Sequence, residues 1–361
     1  MENKKLSNVT RRRFLTNSAA LAAVSMAPVN LAFSQPAQKE KKVNSTFGGV
    51  AVGAITYSWR SMPGGLENIV NYCKECGISS IELMSGDLEA FLGAPENPMM
   101  AMFRRMAPPP PPQAPSAGEA PAQAPAPAPQ PQMRRPQLTP EQQAEIDKYN
   151  EDIRNFRLNV DMNKVAAAKK LLDDAGIKPH IVKFSPSRWS DGEIDYAFKV
   201  ARAMGAMGVS EEIGEDAARK LAPFAEKHEV YAVMHQHMQF ADIEGFSYDP
   251  YMEISPMIMF NFDAGHFFGS TGIHPNEILK KYHERIFSIH IKDKTGPKTD
   301  PPNTNQVWGQ GQMPLADVLQ LIQKEKWPIY CDIELEYDVK PWSDAVKEVT
   351  NCVHFARQIL I

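Results

Sequence analysis

Short apolar runs alternate with longer amphipathic stretches from Val50 to the end of the chain. Eight runs have the length of buried β-strands: Val50–Tyr57, Ser80–Met84, Lys178–Phe184, Gly208–Glu212, Tyr231–His235, Ile258–Asp263, Ile286–His290 and Ile329–Glu334. The stretches with helical patterns are Leu66–Cys76, Pro140–Ala175, Asp191–Met204, Glu215–His228, Pro275–Tyr282, Pro314–Lys326 and Ser343–Leu360. Strand–helix alternation repeated to eight predicts a (β/α)8 TIM barrel rather than an open doubly wound sheet.

The first forty residues have the pattern of an export signal. Thr10–Thr16 contains three consecutive arginines, and residues 17–38 carry no charge. This order predicts a twin-arginine signal peptide over residues 1–34 and therefore a periplasmic protein. The alternative is a membrane anchor, but Asn17 and Asn30 leave the stretch short of the ~20 strongly apolar residues that a spanning helix needs. We therefore expect no stable membrane span after cleavage of the signal.

The rest of the chain is predicted to be a linker, residues 35–48, and one barrel domain, residues 49–361. One segment departs from the barrel pattern. Residues 95–140, after the second strand, are rich in Pro and Ala, a composition that favours polyproline or disorder. This proline-rich insertion is predicted to be either a lid over the barrel mouth or an exposed loop without a catalytic role.

Composition points to small-molecule chemistry. The formal net charge is −4, and the absence of a basic block argues against nucleic acid as a partner. Cys73 and Cys76 form a C-x-x-C that closes a predicted helix instead of opening one, which favours structural cysteines over a redox pair. Cys331 and Cys352 fit the pattern of small buried apolar residues.

Four of the apolar runs end in candidate metal ligands: His235, Asp263, His290 and Glu334. Successive members are 28, 27 and 44 residues apart, which is the length of strand-plus-helix units. TIM barrels carry their active sites at the carboxyl ends of the strands, so we predict that the four side chains bind one metal. Two imidazoles and two carboxylates suit Mn²⁺, Co²⁺, Zn²⁺, Fe²⁺ or Ni²⁺ better than Mg²⁺ or Ca²⁺. Each residue taken singly also has a structural explanation, such as a core histidine or a turn aspartate.

The order of four motifs resembles a known family. The motifs are F-D-A-G-H (262–266), S-I-H-I-K-D (288–293), W-G-Q-G-Q (308–312) and I-E-L-E (333–336). They are similar to those of the xylose-isomerase-like barrels of the sugar phosphate isomerase and epimerase type, which include ketose 3-epimerases and inosose dehydratases. The resemblance extends from Val50 to the C-terminus, apart from the insertion, and is strongest over Tyr231–Tyr337.

The resemblance implies roles for particular residues. Three are implied to ligate a divalent metal: Asp263, His290 and Glu334. His266, in a D-x-x-H pattern, is implied to contact substrate oxygens, and Lys292 is implied to lie at the rim of the site. Weaker candidates for lining the pocket, from their positions at strand ends and in loops, are Tyr57, Trp59, Glu82, His180, Lys183, Glu211, Glu212 and Trp308, with Trp308 stacking on a sugar face.

The fifth strand departs from the family pattern. Where the family usually has a Glu followed by Asn-His, this chain has His235-Gln236-His237. In the epimerases two metal-bound glutamates serve as the two bases, and only Glu334 of that pair is present. His235 is therefore expected to be a ligand, or His235 or His237 a base with an ordinary pKa of about 6.5. The departure argues against a symmetric two-carboxylate epimerisation.

The implied chemistry is proton removal beside a sugar carbonyl through an enediolate. The leading prediction is a metal-dependent isomerase or epimerase that acts on an unphosphorylated sugar, because phosphorylated sugars are chiefly cytoplasmic. One alternative is a lyase or dehydratase that acts by β-elimination on a 3-keto-glycoside. Two further alternatives are a non-catalytic periplasmic sugar-binding protein and a DNA-repair endonuclease. The lack of a basic surface argues against the endonuclease.

Overall fold

The computed structural model of the protein describes residues 42–99 and 138–361. The predicted signal peptide, the first part of the linker and most of the proline-rich insertion lie outside the described residues, so those three statements stay predictions. Within the two described ranges, no helix is both long and apolar enough to cross a membrane.

Eight parallel strands close into a barrel. They are β1 (Val50–Ile55), β2 (Ser80–Met84), β3 (Lys178–Lys183), β4 (Gly208–Glu212), β5 (Tyr231–His235), β6 (Ile258–Asp263), β7 (Ile286–Ile291) and β8 (Tyr330–Ile333). Each strand pairs with the next in sequence, and β1 pairs with both β2 and β8, which closes the barrel. The predicted (β/α)8 TIM barrel is thereby confirmed. Two-residue strands add Thr46–Phe47 beside β1 and pair Asp293–Lys294 with Asn305–Gln306.

The helices follow the strands along the chain. In the described residues they are α1 (Leu66–Cys76), α2 (Ser85–Leu92), α3 (Pro140–Leu158), α4 (Met162–Ala175), α5 (Asp191–Met204), α6 (Glu215–His228), α7 (Gln239–Asp242), α8 (Asp249–Met252), α9 (Ala264–Thr271), α10 (Asn276–Tyr282), α11 (Leu315–Glu325) and α12 (Ala345–Leu360). A 3₁₀ turn, Thr56–Trp59, follows β1. The prediction of a single helix over Pro140–Ala175 is wrong. The chain leaves the helical conformation at Asn159, and a new helix begins after Asp161, whose side chain accepts a hydrogen bond from the Asn163 N–H.

Local sequence signals set the ends of these helices. Helix α5 begins with a capping box in which Ser190 and Glu193 satisfy each other's backbone N–H groups. It ends at Gly205, whose φ of 79° is a left-handed conformation that glycine adopts without strain. The cysteines of the C-x-x-C, Cys73 and Cys76, are buried in α1 and not disulfide-bonded, and burial raises the pKa of both thiols. These features support the structural interpretation of the pair.

The strands bury two polar networks among apolar side chains. In the first, His180 is 2.8 Å from Ser80 Oγ through Nδ1 and 2.8 Å from Asp332 Oδ2 through Nε2. In the second, Glu82 accepts hydrogen bonds from Ser210 and Asn261. Buried polar groups need such partners, since an unpaired one costs the desolvation energy of the group. The second network leads to the carboxyl ends of the strands.

Candidate metal centre

The four predicted ligands converge at the carboxyl end of the barrel. His235 and Asp263 are the last residues of β5 and β6, His290 lies one residue before the end of β7, and Glu334 directly follows β8. Two overlapping groups of possible ligand atoms lie within 4.8 Å of one another: His235, His237 and Asp263, and Asp263, His290 and Glu334. The structure therefore brings together all four residues that the strand spacing singled out, with His237 beside them.

Four buried polar atoms of this cluster lack a well-directed hydrogen bond among the described residues: His235 Nδ1, Asp263 Oδ2, His290 Nδ1 and Glu334 Oε2. Three of them have ion-pair contacts instead, since His290 Nδ1 is 3.0 Å from Glu334 Oε2 and Lys292 Nζ is 2.8 Å from Asp263 Oδ2. Buried side-chain nitrogen and oxygen atoms are nearly always satisfied, and an unsatisfied group points to a strained site or a missing ligand. Imidazole nitrogen and carboxylate oxygen are the ligand atoms of first-row divalent metals. The donor set fits such an ion.

The two ligand histidines differ in charge. Burial, together with the nearby charges of His290 and Lys183, lowers the pKa of His235 well below its ordinary value. A neutral imidazole is the form that binds a metal. Burial also tends to lower the pKa of His290. The nearby carboxylates of Glu334 and Glu82 outweigh this effect and raise the pKa of His290 well above its ordinary value. Ligation by His290 would therefore release a proton.

Lys292 was expected at the rim of the site, but it is buried between the carboxylates of the cluster. Its Nζ is 2.8 Å from Asp263 Oδ2 and 2.8 Å from Glu336 Oε2, and it also contacts Glu334 Oε2. Burial favours the neutral form of each carboxyl group, but the lysine charge outweighs it and lowers the pKa of Asp263 and of Glu334. The same contacts raise the pKa of Lys292 against its burial. All three groups are therefore charged at neutral pH.

Glu82 supports His290 from inside the barrel. It is fully buried, and its Oε2 is 2.8 Å from His290 Nε2. This contact directs the other ring nitrogen, Nδ1, toward Glu334 Oε2, 3.0 Å away. The prediction that Glu82 lines the substrate pocket is wrong, because the side chain has no exposed surface. A carboxylate behind a ligand histidine fixes the orientation of the ring and raises its basicity.

Two further histidines lie at the outer side of the cluster. His237 has 45% of its side chain exposed, and its Nε2 is 2.9 Å from Glu212 Oε2. The hydrogen bond with Glu212 raises the pKa of His237, while that bond and Lys183 hold the pKa of Glu212 at about 2 against its burial. The Nε2 of His266 is 3.5 Å from Glu336 Oε2 and 3.8 Å from Asp263 Oδ2.

Comparison with known proteins defines the type of barrel. A family model described as "Xylose isomerase-like TIM barrel" matches residues 211–353, which run from the end of β4 into α12 and contain the whole ligand cluster. The fold is a xylose isomerase-like TIM barrel. No curated protein sequence matches this chain significantly.

Solved structures of low sequence identity share the fold. A xylose isomerase domain protein from Alicyclobacillus acidocaldarius is 12% identical, with a TM-score of 0.53 over 86% of this chain and 99% of that one. A sugar phosphate isomerase/epimerase from Parabacteroides distasonis is 15% identical, with a TM-score of 0.50 over 90% of this chain and 100% of that one. A D-psicose 3-epimerase is 8% identical, with a TM-score of 0.50 over 86% and 99%. At these identities the likeness is one of fold.

In this xylose isomerase-like barrel, the W-G-Q-G-Q loop is bound to the protein itself. Trp308 is only 8% exposed and packs edge-on against Phe355, with the ring centres 5.9 Å apart. Little of the Trp308 ring is left for a sugar, contrary to the prediction. The N–H groups of Gly309 and Gly311 donate to Asp293 Oδ2 at 2.8 and 2.9 Å. The loop therefore fixes Asp293, the residue that follows Lys292 in the chain.

Proposed function

We propose that this chain is a divalent-metal-dependent enzyme that removes a proton beside a sugar carbonyl and isomerises or epimerises the sugar through an enediolate. The observation that carries the proposal is the convergence of buried ligand atoms from His235, Asp263, His290 and Glu334 at the carboxyl end of the barrel. Sugar chemistry is further supported by the names of two structural relatives, a sugar phosphate isomerase/epimerase and a D-psicose 3-epimerase.

An unphosphorylated sugar fits the charges around the cluster best. Lys183 is paired with Glu212 at 2.9 Å, and Lys292 contacts three carboxylates. These cations are already neutralised and have little charge to offer a phosphate. The periplasmic location predicted from the N-terminal sequence agrees with such a substrate, because phosphorylated sugars are chiefly cytoplasmic.

In this proposal His235, Asp263, His290 and Glu334 hold one ion, of Mn²⁺, Co²⁺, Zn²⁺, Fe²⁺ or Ni²⁺. The chemistry that such an ion supplies when bound is polarisation of the substrate carbonyl, which acidifies the adjacent C–H bond. In this proposal His266, at the outer side of the cluster, donates to substrate oxygens.

We assign His237 as the base that takes the proton. Its half-exposed ring lies on the outer side of the cluster, and the bond to Glu212 orients it and raises its pKa. A higher pKa makes the neutral ring a stronger base, and a positioned histidine commonly carries out such a proton transfer. Glu334 is the other candidate base, but Lys292 and His290 lower its pKa well below the ordinary value in spite of its burial, which favours a ligand role.

A lyase is the second candidate function. The presence of His235 in place of the first family glutamate leaves one carboxylate base where an epimerase uses two. In a 3-keto-glycoside, the base would take the C2 proton, the C2–H electron pair would form a C1=C2 double bond, and the C1–O bond to the aglycone would break. The aglycone would leave with the electron pair of the C1–O bond and be protonated to an alcohol.

Isotope exchange tests the proposal. Mn²⁺-loaded protein is incubated in D₂O with free ketoses and, separately, with a 3-keto-glycoside. Deuterium at the carbon beside the ketone without aglycone release supports isomerisation or epimerisation, and aglycone release supports the lyase. His237→Asn should slow exchange by about 10²–10⁴ while the metal content stays the same. His274→Asn is the matched control, because this histidine contacts Asp317 outside the cluster.

Two results would contradict the proposal. A preparation without bound divalent metal and without chelator-sensitive turnover would favour a sugar-binding protein. Retention of metal and full turnover by both His235→Ala and Glu334→Ala would show that the site lies elsewhere.

A further inference from the structure

The ammonium of Lys292 occupies the position between the oxygens that a metal would bind. It lies 2.8 Å from Asp263 Oδ2 and touches Glu334 Oε2, so it forms an ion pair with each carboxylate. It also donates a hydrogen bond to Glu336 Oε2, at 2.8 Å.

We propose, resting on the proposed function, that Lys292 is an internal cation that holds the site assembled without metal and moves onto Glu336 when metal binds. Asp263 and Glu334 are almost fully buried. Two buried carboxylates without a cation would repel each other and would each lack solvation. Lys292 supplies a positive charge in contact with both carboxylates, beside that of His290.

A metal and the ammonium cannot share the two oxygens. Two cations a few ångströms apart in a poorly solvated site repel strongly, and each would take part of the attraction of the same carboxylates. Binding of the ion therefore requires the ammonium to leave. The measured metal affinity then includes the free-energy cost of moving the Lys292 ammonium away from the two carboxylates.

The structure provides a destination for the movement. Glu336 is 22% exposed, lies on the outer side of the cluster and already accepts from Lys292. The lysine side chain has a flexible four-carbon stem whose outer part can pivot about this bond. The inner part of the stem packs closely against Gly265, where a Cβ would be 2.2 Å from Lys292 Cγ and 2.9 Å from the Lys292 carbonyl oxygen.

The test measures Mn²⁺ affinity by calorimetry. Lys292→Met keeps the unbranched stem but lacks the terminal ammonium and its competing charge, so we expect Mn²⁺ to bind about tenfold more tightly or better. Glu336→Gln should weaken binding several-fold, since the displaced ammonium loses its charged partner. Lys294→Met is the matched control, because this buried lysine bonds Asn305 and acts on Asp263 and Glu334 through its charge without contacting their oxygens. The gain in Mn²⁺ affinity of Lys294→Met should therefore be clearly smaller than that of Lys292→Met.

A second readout follows the lysine directly. Acetylation of wild-type protein with a soluble acylating reagent, quantified by mass spectrometry, should be faster at Lys292 with Mn²⁺ than without it and unchanged at Lys294. This measurement keeps the inference testable if Lys292→Met fails to fold.

The outcomes separate the inference from the proposed function. Equal or weaker Mn²⁺ binding by folded Lys292→Met, or slower acetylation of Lys292 with Mn²⁺, would overturn the displacement while leaving a working metal enzyme. If neither wild type nor Lys292→Met bound any divalent metal, the metal dependence of the proposed function would itself be wrong.

Discussion

Glu82 shows how one residue shapes the candidate metal centre without reaching it. Its carboxylate fixes His290 through Nε2, so that Nδ1 is the nitrogen that faces Asp263 and Glu334. The sequence gives no sign of this pairing, because the two residues are 208 positions apart and neither strand reveals which residues meet across the barrel. Alternation along a strand does predict that His290 and Lys292 share a face, but not that the ammonium lies among the carboxylates.

Replacement of Glu82 tests its role in positioning His290. Glu82→Gln keeps the size of the side chain but loses the charge that holds the imidazole, so we expect metal affinity to fall by about 10–100-fold. Ser210→Ala is the matched control, because it removes a hydrogen bond to Glu82 Oε1 and leaves the His290 contact at Oε2 intact. Metal affinity is measured by calorimetry, with circular dichroism to confirm folding. An unchanged affinity in folded Glu82→Gln would contradict this role.

At the scale of elements, the strands were predictable and some helices were not. Each strand was found within about two residues of its observed ends, because a strand buried on both faces leaves a continuous apolar run between polar turns. Helices α2 and α9 were missed because they begin at the residue after β2 and β6, with no loop, and contain glycines that weaken the helical pattern. The break between α3 and α4 carried a usable signal, the capping residue Asp161.

Helices α2, α3 and α5 are joined by one side chain, Arg157. Its guanidinium is 2.9 Å from Glu89 Oε1 and 3.2 Å from Glu193 Oε1, and it lies 3.5 Å from the centre of the Trp189 ring. Arg157 and both carboxylates are about 90% buried. Removing one partner from a buried ion pair leaves the other charge without compensation, which costs more than the pair contributes.

We therefore expect Arg157→Met to lower the free energy of unfolding by about 3 kcal/mol at pH 7. Burial tends to raise the pKa of Glu193, but hydrogen bonds from Ser190 and Arg157 outweigh it and lower that pKa. A carboxyl group with a lowered folded-state pKa stabilises the fold above its unfolded pKa of about 4.3, and this contribution is lost as the pH falls through the folded value. The difference between wild type and Arg157→Met should thus shrink at pH 3.

Urea unfolding at pH 7 and pH 3 measures both effects. Arg219→Met is the matched control, because its pair with Glu215 is more than half exposed, and its loss should stay below about 1 kcal/mol. Equal losses for the two arginine variants at pH 7 would show that the buried pair does not stabilise the contact between the helices.

For the barrel as a whole, closure depends on a tight contact at Gly53. This residue lies in β1, which joins β2 and β8 and so completes the ring of strands. A Cβ at Gly53 would lie 2.3 Å from Asp332 Oδ1 and 2.8 Å from the Ser80 carbonyl oxygen. Ser80 and Asp332 are also the two partners of buried His180. The space left by this glycine therefore allows strands β1, β2, β3 and β8 to meet around one polar network.

Gly53→Ala should destabilise the whole barrel. The added methyl group must push Asp332 away from His180 or move β1 away from its neighbours, and overpacking of this kind costs about 3 kcal/mol. Gly86→Ala is the control, since a Cβ there meets no heavy atom within 4 Å and alanine favours helix α2 by up to about 1 kcal/mol. Urea unfolding should give a lower midpoint for Gly53→Ala and an equal or higher one for Gly86→Ala. A Gly53→Ala protein as stable as wild type would mean that the barrel closes with more room than this contact implies.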